Sequence, residues 1–439
     1  MKPRFIQTVV CLLLGVGWLQ VGTCYGQESS QASASPKMSG FYKDLFMSGG
    51  VRLSSRKTLP AAESLGLSYE YYAGKDEAKQ KELFSGSPAD TNGVLLYPDG
   101  QPRFRMLYVN GGSATLHGKS LQLDGRQALR QFYNAGGSYC GSCAGSFLSG
   151  RNVGKASNRR LGYLHIFPFN TLNTGLKKER VGHFIPDNSP LLRYRTFGDD
   201  QYVADIYHNN GNWLSLETGK HLEGTEILAR YDTPDKKPHE GAAIWAYKTG
   251  QASGRIVNIG SHPEGITSGE RLSLTEACFM YALDGAGQPP IKGTLVNGDV
   301  RSMNRATADK DPAFTKIGDR QTHHFRFDVA AGRQPVQIEL KGQEGFDFHL
   351  FVQPSPPSRK TIAAIRDTST GWNKTLKTRL APGTWYVSVH CATTVTASKD
   401  ESGAFYNYTG PLNVLNGVSY QLKASQFKTS QRRGFLRRE

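Results

Sequence analysis

Three short stretches carry residue types that together could break an amide or ester bond. The first runs from Gly136 to Gly150, Gly-Gly-Ser-Tyr-Cys-Gly-Ser-Cys-Ala-Gly-Ser-Phe-Leu-Ser-Gly, with Gly141 and Gly145 bracketing Cys143. Gly-x-Cys-x-Gly suits a sharp turn from strand to helix, where the nucleophile sits on strained backbone and only residues lacking a Cβ fit beside it. The helix that follows would aim free N–H groups at the sulfur and favour thiolate over thiol. The second stretch is Ser261-His262-Pro263-Glu264, directly after the strand-like run Arg255–Ile259. An imidazole at a strand's end can reach a neighbouring turn, and a carboxylate two residues on can hold its other nitrogen. Cys143, His262 and Glu264 therefore read as a triad in chain order. The third is Asn110-Gly111-Gly112 at the end of the apolar run Met106–Val109. Charge develops on the carbonyl oxygen during acyl transfer, so the N–H of Ala144 and that of Gly112 are the expected oxyanion hole. A glycine-rich loop around a buried cysteine, and a glycine turn that only reverses the chain, are the plainer readings of the same residues.

These stretches need a scaffold, and the chain supplies one. Leu45–Val51 reads as a first strand, Lys57–Leu65 as a short helix and Met106–Val109 as a strand reaching a glycine turn. Asp124-Gly-Arg-Gln127 has the form of a capping box, and Ala128, Leu129, Phe132 and Tyr133 repeat at helical spacing up to Gly136 and Gly137. A very short strand, Ser138 to Gly141, then leads into the turn at Cys143. Thr225–Tyr231, Ala242–Tyr247 and Arg255–Ile259 have strand composition, and Leu272, Leu274, Ala277, Cys278 and Tyr281 mark a final helix. Alternating strands and helices predict an α/β domain over residues 40–288, a sheet with helices on both faces. After Pro290 the pattern changes to period two, as in Phe325, Phe327 and Val329, or Trp385, Val387, Val389 and Cys391. Residues 291–424 therefore read as a small all-β sandwich domain.

Composition bounds the rest. The 439 residues, 38% hydrophobic and 10% aromatic, suit a globular protein of two or three domains. Lys2 and Arg4 precede an apolar run from Val9 to Leu19 that is too short to span a bilayer, so residues 1–26 read as an export signal. The expected location is secreted or periplasmic, with no transmembrane span after signal removal. Cys24 is a minor candidate for a lipid anchor, although Val21-Gly22-Thr23 before it is a poor lipobox. Residues 27–39, rich in Ser, Ala and Gln, read as a linker. Four cysteines then remain in the mature chain, Cys140, Cys143, Cys278 and Cys391, too few for a disulfide scaffold. The net charge of +16 and a basic tail over 425–439, with Arg432, Arg433, Arg437 and Arg438, predict affinity for an acidic polysaccharide or an anionic envelope surface, and not for nucleic acid. A solvated basic surface with no partner is the alternative. His323, His324 and His349 lack metal-ligand spacing and are expected to face solvent; no metal and no cofactor is expected.

Asn110-Gly-Gly, the Gly136–Gly150 stretch and Ser261-His-Pro-Glu264, in that order, resemble the class I glutamine amidotransferase-like superfamily, and within it the family similar to the N-terminal domain of biotin-protein ligase. The resemblance covers about residues 40–285 and implies a flavodoxin-like fold with a Cys-His-Glu triad. Tyr207-His208-Asn209-Asn210-Gly211 resembles that family's middle segment, which implies that His208 lies near the substrate pocket. Where amidotransferases carry His-Gln after the elbow glycine to hold glutamine, this chain has Ser146 and Phe147. The resemblance thus implies a pocket shaped by Ser146 and Phe147 and an amide, peptide or ester substrate other than glutamine. Phe346-Asp-Phe-His-Leu350 and Pro382-Gly-Thr-Trp-Tyr-Val387 resemble the pre-peptidase C-terminal type of β-sandwich. Two rival functions stay open. Cys140-x-x-Cys143 could be a redox pair, and the chain could be a non-catalytic extracellular binding protein that keeps the fold.

Overall fold

The computed structural model describes residues 40–50, 53, 58–74, 76–216, 222–306, 311–331, 334–358 and 363–427, all within one compact unit. The expected export signal, the linker, Cys24 and the basic tail beyond residue 427 lie outside these residues, as do Val51 and Lys57.

The first part of the chain is a three-layer α/β arrangement. Its strands are β1 (Lys43–Ser48), β2 (Tyr69–Tyr72), β3 (Phe104–Val109), β4 (Ser138–Ser142), β5 (Leu172–Asn173), β6 (Glu179–Phe184), β7 (Tyr202–His208), β8 (Asn212–Trp213), β9 (Thr225–Asp232), β10 (Ala242–Tyr247) and β11 (Ile256–Ile259). The helices are α1 (Pro60–Ser64), α2 (Glu77–Ser85), α3 (Ala114–Ser120), α4 (Gln122–Asn134), α5 (Ala144–Ser149) and α6 (Gly269–Asp284). Nine strands form one sheet in the order β2-β1-β3-β4-β11-β10-β9-β6-β7, while β5 and β8 pair as a separate ribbon. Pairs from β2 to β11 are parallel, and from β11 to β7 antiparallel. The parallel half has the order of a flavodoxin-like sheet.

Period-two burial explains the layers. Phe46, Leu107, Val109 and Tyr139 point to one face and pack with Leu129 and Phe132 of α4. Leu45, Met47, Met106, Tyr108 and Cys140 point to the other and pack with Leu274, Ala277, Cys278 and Phe279 of α6. The capping box expected at Asp124 does not form: α4 begins at Gln122 after Leu121, with no side-chain cap, so Asp124 lies inside its first turn. Gln122 adopts φ 54°, which turns the chain directly from α3 into α4. Gly136, at φ 109°, ends α4 in the expected manner.

The second part contains β12 (Ile291–Thr294), β13 (Val300–Met303), β14 (Thr322–Val329), β15 (Gln334–Gly342), β16 (Phe348–Gln353), β17 (Ile365–Asp367), β18 (Asn373–Leu380), β19 (Gly383–Cys391), β20 (Thr396–Lys399), β21 (Phe405–Thr409) and β22 (Tyr420–Gln426). A five-stranded sheet, β12-β14-β19-β16-β17, and a four-stranded one, β13-β22-β15-β18, form the β-sandwich. All pairings are antiparallel apart from β12 with β14. His323 and His324 are buried, against expectation, because β14 is an inner strand. His323 Nδ1 meets Tyr420 Oη at 2.9 Å and His324 Nδ1 meets Ser388 Oγ at 2.7 Å. No cluster of metal-ligating side chains occurs among the described residues.

The two parts share a core. Arg103 of the α/β part is 1% exposed and grips Asp319, 0% exposed, with Nε at 3.2 Å and Nη2 at 3.1 Å. The Tyr42 and Tyr408 rings flank the guanidinium, at 4.5 and 5.1 Å, and both hydroxyls donate to buried Glu70.

Candidate active site

Cys143 stands between the last residue of β4 and the first of α5, with φ 45° and ψ −101°. Positive φ is costly for a residue with a Cβ and persists only where the surroundings over-determine it. Here they do. Cys143 N donates to Ile259 O at 2.8 Å, Gly145 N donates to Asn110 O at 3.1 Å, and Tyr139 Oη donates to Gly145 O at 2.6 Å. A Cβ on Gly145 would lie 2.1 Å from the Val109 carbonyl oxygen, a backbone atom that cannot swing aside. Gly145→Ala is therefore expected to destabilise the protein by about 1–3 kcal/mol through overpacking, read from chemical denaturation; an unchanged midpoint would contradict this account of the elbow.

The register of the sheet brings the Ser261–Glu264 stretch alongside. β4 and β11 are parallel neighbours with Ser142 opposite Ile259, so the residues that leave their carboxyl ends emerge side by side. His262 follows Ile259 by three residues and is fixed through its own N–H, which donates to Tyr207 O at 2.8 Å. Its Nδ1 lies 3.0 Å from Glu264 Oε1, and Cys143 is near enough to act on its charge. Glu264 is 2% exposed. Burial works against the imidazolium, but the Glu264 carboxylate and the Cys143 contact outweigh it and push the His262 pKa up to about 10. The Cys143 sulfur is 3.7 Å from Asn209 O, on the loop after β7. The glycine turn after β3 joins them: a Cβ on Gly111 would meet His262 Cε1 at 2.2 Å, so the Cε1 edge of the imidazole abuts that backbone. Gly112, the next residue, is exposed with φ 142°, and Ala144 opens α5.

The fold has counterparts. Among solved structures, the chain is similar to a glutamine amidotransferase (17% identity over 54% of this chain and 98% of that one, TM-score 0.34). It is similar also to a ThuA-like protein from Bacteroides uniformis (12%, 54% and 90%, TM-score 0.33). Over the second part it is similar to the pre-peptidase C-terminal domain of a collagenase from Bacillus anthracis (14%, 31% and 97%, TM-score 0.20). No protein-family model matches the chain, and no curated protein does.

The three residues expected near the pocket are all buried. His208 is 0% exposed, and its Nε2 lies 2.7 Å from Thr174 Oγ1 and accepts from Gly211 N at 3.2 Å. Burial, then the nearby His262, lowers its pKa to about 4, so it is a neutral ring that pins the loop carrying Asn209. Ser146 and Phe147 sit on the inward side of α5, buried. Cys140 is equally enclosed. Its side chain joins the α6 face of the core, burial pushes its thiol well up, and both it and Cys143 are free thiols.

Sequence reasoning missed a second layer beneath the triad. His183 Nε2 lies 3.1 Å from Ser261 Oγ, and the rings of His183 and His208 both meet Tyr231 edge-on. Tyr231 Oη in turn donates to Asn212 O at 3.1 Å. Nothing in the local pattern around His183 distinguishes it from an ordinary strand residue.

Proposed function

We propose that this chain is an exported cysteine hydrolase that cleaves an amide, peptide or ester bond through Cys143, His262 and Glu264. The observation that supports it most is the strained Cys143 at the end of β4, beside an imidazole whose Nδ1 is held by a buried carboxylate.

In this reading the Cys143 sulfur, its proton held on His262, attacks the substrate carbonyl carbon and forms a C–S bond while the carbonyl π pair moves to oxygen. The N–H groups of Ala144 and Gly112 receive that oxyanion. Collapse expels the amine or alcohol, which takes the proton from His262, and leaves an acyl-thioester. Water, deprotonated by His262, then adds to the thioester and regenerates the thiol with release of the acid. Glu264 keeps the imidazole oriented throughout. Ser146 and Phe147 at the positions where amidotransferases hold glutamine support a substrate other than glutamine.

The test is labelling of the full chain under reducing conditions with an electrophilic amide or ester probe, followed by peptide mapping. Cys143, 6% exposed, is expected to carry the label ahead of Cys140, Cys278 and Cys391, which are 0% exposed. Labelling of Cys143 no faster than that of the other three would overturn the proposal.

A further inference from the structure

Behind the elbow, α5 is followed by a basic loop that packs on α3. A Cβ on Gly162 would lie 3.2 Å from Thr115 O and 3.6 Å from Lys119 Cγ, which places Gly162 directly against that helix. The loop is tied to its neighbours: Leu164 N donates to Leu148 O at 2.8 Å, and Arg130 Nε of α4 donates to Leu164 O at 2.7 Å. Arg126, one turn earlier on α4, donates through Nη1 to Gly118 O at 2.7 Å.

The charges on this face all have one sign. The Arg130 guanidinium is pulled below its ordinary value by burial and then by Arg126 and Arg159, and the same three arginines lower His165 after burial does. Among the described residues no carboxylate forms an ion pair with Arg126, Arg130, Arg159 or Arg160. The one acidic side chain in the first turn of α4, Asp124, faces away to Lys81 at 3.5 Å. Arg126 and Arg130 are four apart on one helix, an unfavourable spacing for like charges unless something external neutralises them.

Apolar side chains stand among these cations. Leu161 is 85% exposed directly after Arg159 and Arg160. Leu123, 56% exposed, shares the α4 stripe with Arg126 and Arg130 at i, i+3 and i+7, and Leu116 on α3 is 47% exposed. A soluble polyanion would neutralise the arginines and leave three leucines in water. A bilayer bearing anionic headgroups satisfies both, because arginines meet phosphates at the depth where leucines reach acyl chains.

We propose that the face formed by Arg126, Arg130, Arg159, Arg160, Leu161 and Leu123 docks the protein on an anionic lipid surface. This lies beyond the hydrolase reading and is tested without any catalytic readout. The full chain is mixed with phosphatidylglycerol-containing vesicles or with pure phosphatidylcholine vesicles, and the bound fraction is measured by flotation. The protein is expected to float with the anionic vesicles only and to be released by salt. Arg126→Gln, Arg130→Gln and Arg159→Gln combined should weaken binding on the order of a hundredfold, and Leu161→Ser about tenfold. Lys377→Gln with Arg379→Gln, two exposed positions on β18, should change it little. Equal binding to both vesicles, equal loss in the β18 control, or an unaltered affinity in the triple variant would each overturn the proposal. So would retention on dextran sulfate beads, unaffected by Leu161→Ser, with no vesicle binding.

Discussion

His262→Ala is expected to slow turnover of an amide or ester substrate by about a thousandfold, the scale of a general acid–base contribution. Cys143→Ala should abolish it, and the double variant should be no worse than Cys143→Ala, because residues acting as a unit do not add. Glu264→Gln gives a finer result. With the carboxylate in place the imidazolium persists to about pH 10, so the alkaline limb of the rate, where the proton donor is lost, is expected near there. Removing the carboxylate charge takes away a raising influence, so the limb must move to lower pH. A stopped-flow pH profile measures both; an alkaline limb that stays in place in Glu264→Gln would show that Glu264 does not act on His262.

Asp319→Asn is expected to destabilise the folded chain by about 3–5 kcal/mol, the cost of leaving a buried arginine without its counter-ion. Arg103 and Asp319 are both buried, and the bidentate bond between them joins the α/β part to the β-sandwich. Replacing both, as Arg103→Met with Asp319→Leu, should restore most of the loss, since a well-packed apolar pair is often neutral in such positions. Guanidinium denaturation of the unsubstituted chain, Asp319→Asn and the double variant measures both effects. A small effect in Asp319→Asn would mean that Tyr42, Tyr408 and Glu70 suffice to hold Arg103.

What could be read from the chain, and what could not, divides along sequence distance. The elbow was legible because its causes are local: Gly141 and Gly145 flank Cys143 within two residues, and Pro263 and Glu264 follow His262 at once. Strands β3, β9, β10 and β11 carry compact apolar runs and were placed within two residues. In contrast, β2, β6 and β7 were overlooked. β7 reads Tyr-Val-Ala-Asp-Ile-Tyr-His, where burial alternates too irregularly to announce a strand. The start of α4 was misplaced because the chain turns into it through Gln122 at positive φ instead of through a polar cap. The burial of His208, His323 and His324 depends on partners far along the chain, Thr174, Tyr420 and Ser388, that no local window contains. Arg103 and Asp319, 216 residues apart, are of the same kind.

The pairing of β4 with β11 also sets when the chain can become reactive. Arg255 N donates to Ser138 Oγ across 117 residues, and the rungs from Tyr139–Ile256 to Ser142–Ile259 close a loop of that size. Contacts of such high order form late, after the entropy of the long loop has been overcome. Until then Cys143 has neither its imidazole nor its strained turn, and it is an ordinary thiol. In the proposed hydrolase, reactivity of Cys143 should therefore appear in step with global folding, so that a partly made or partly unfolded chain would carry its nucleophile unarmed.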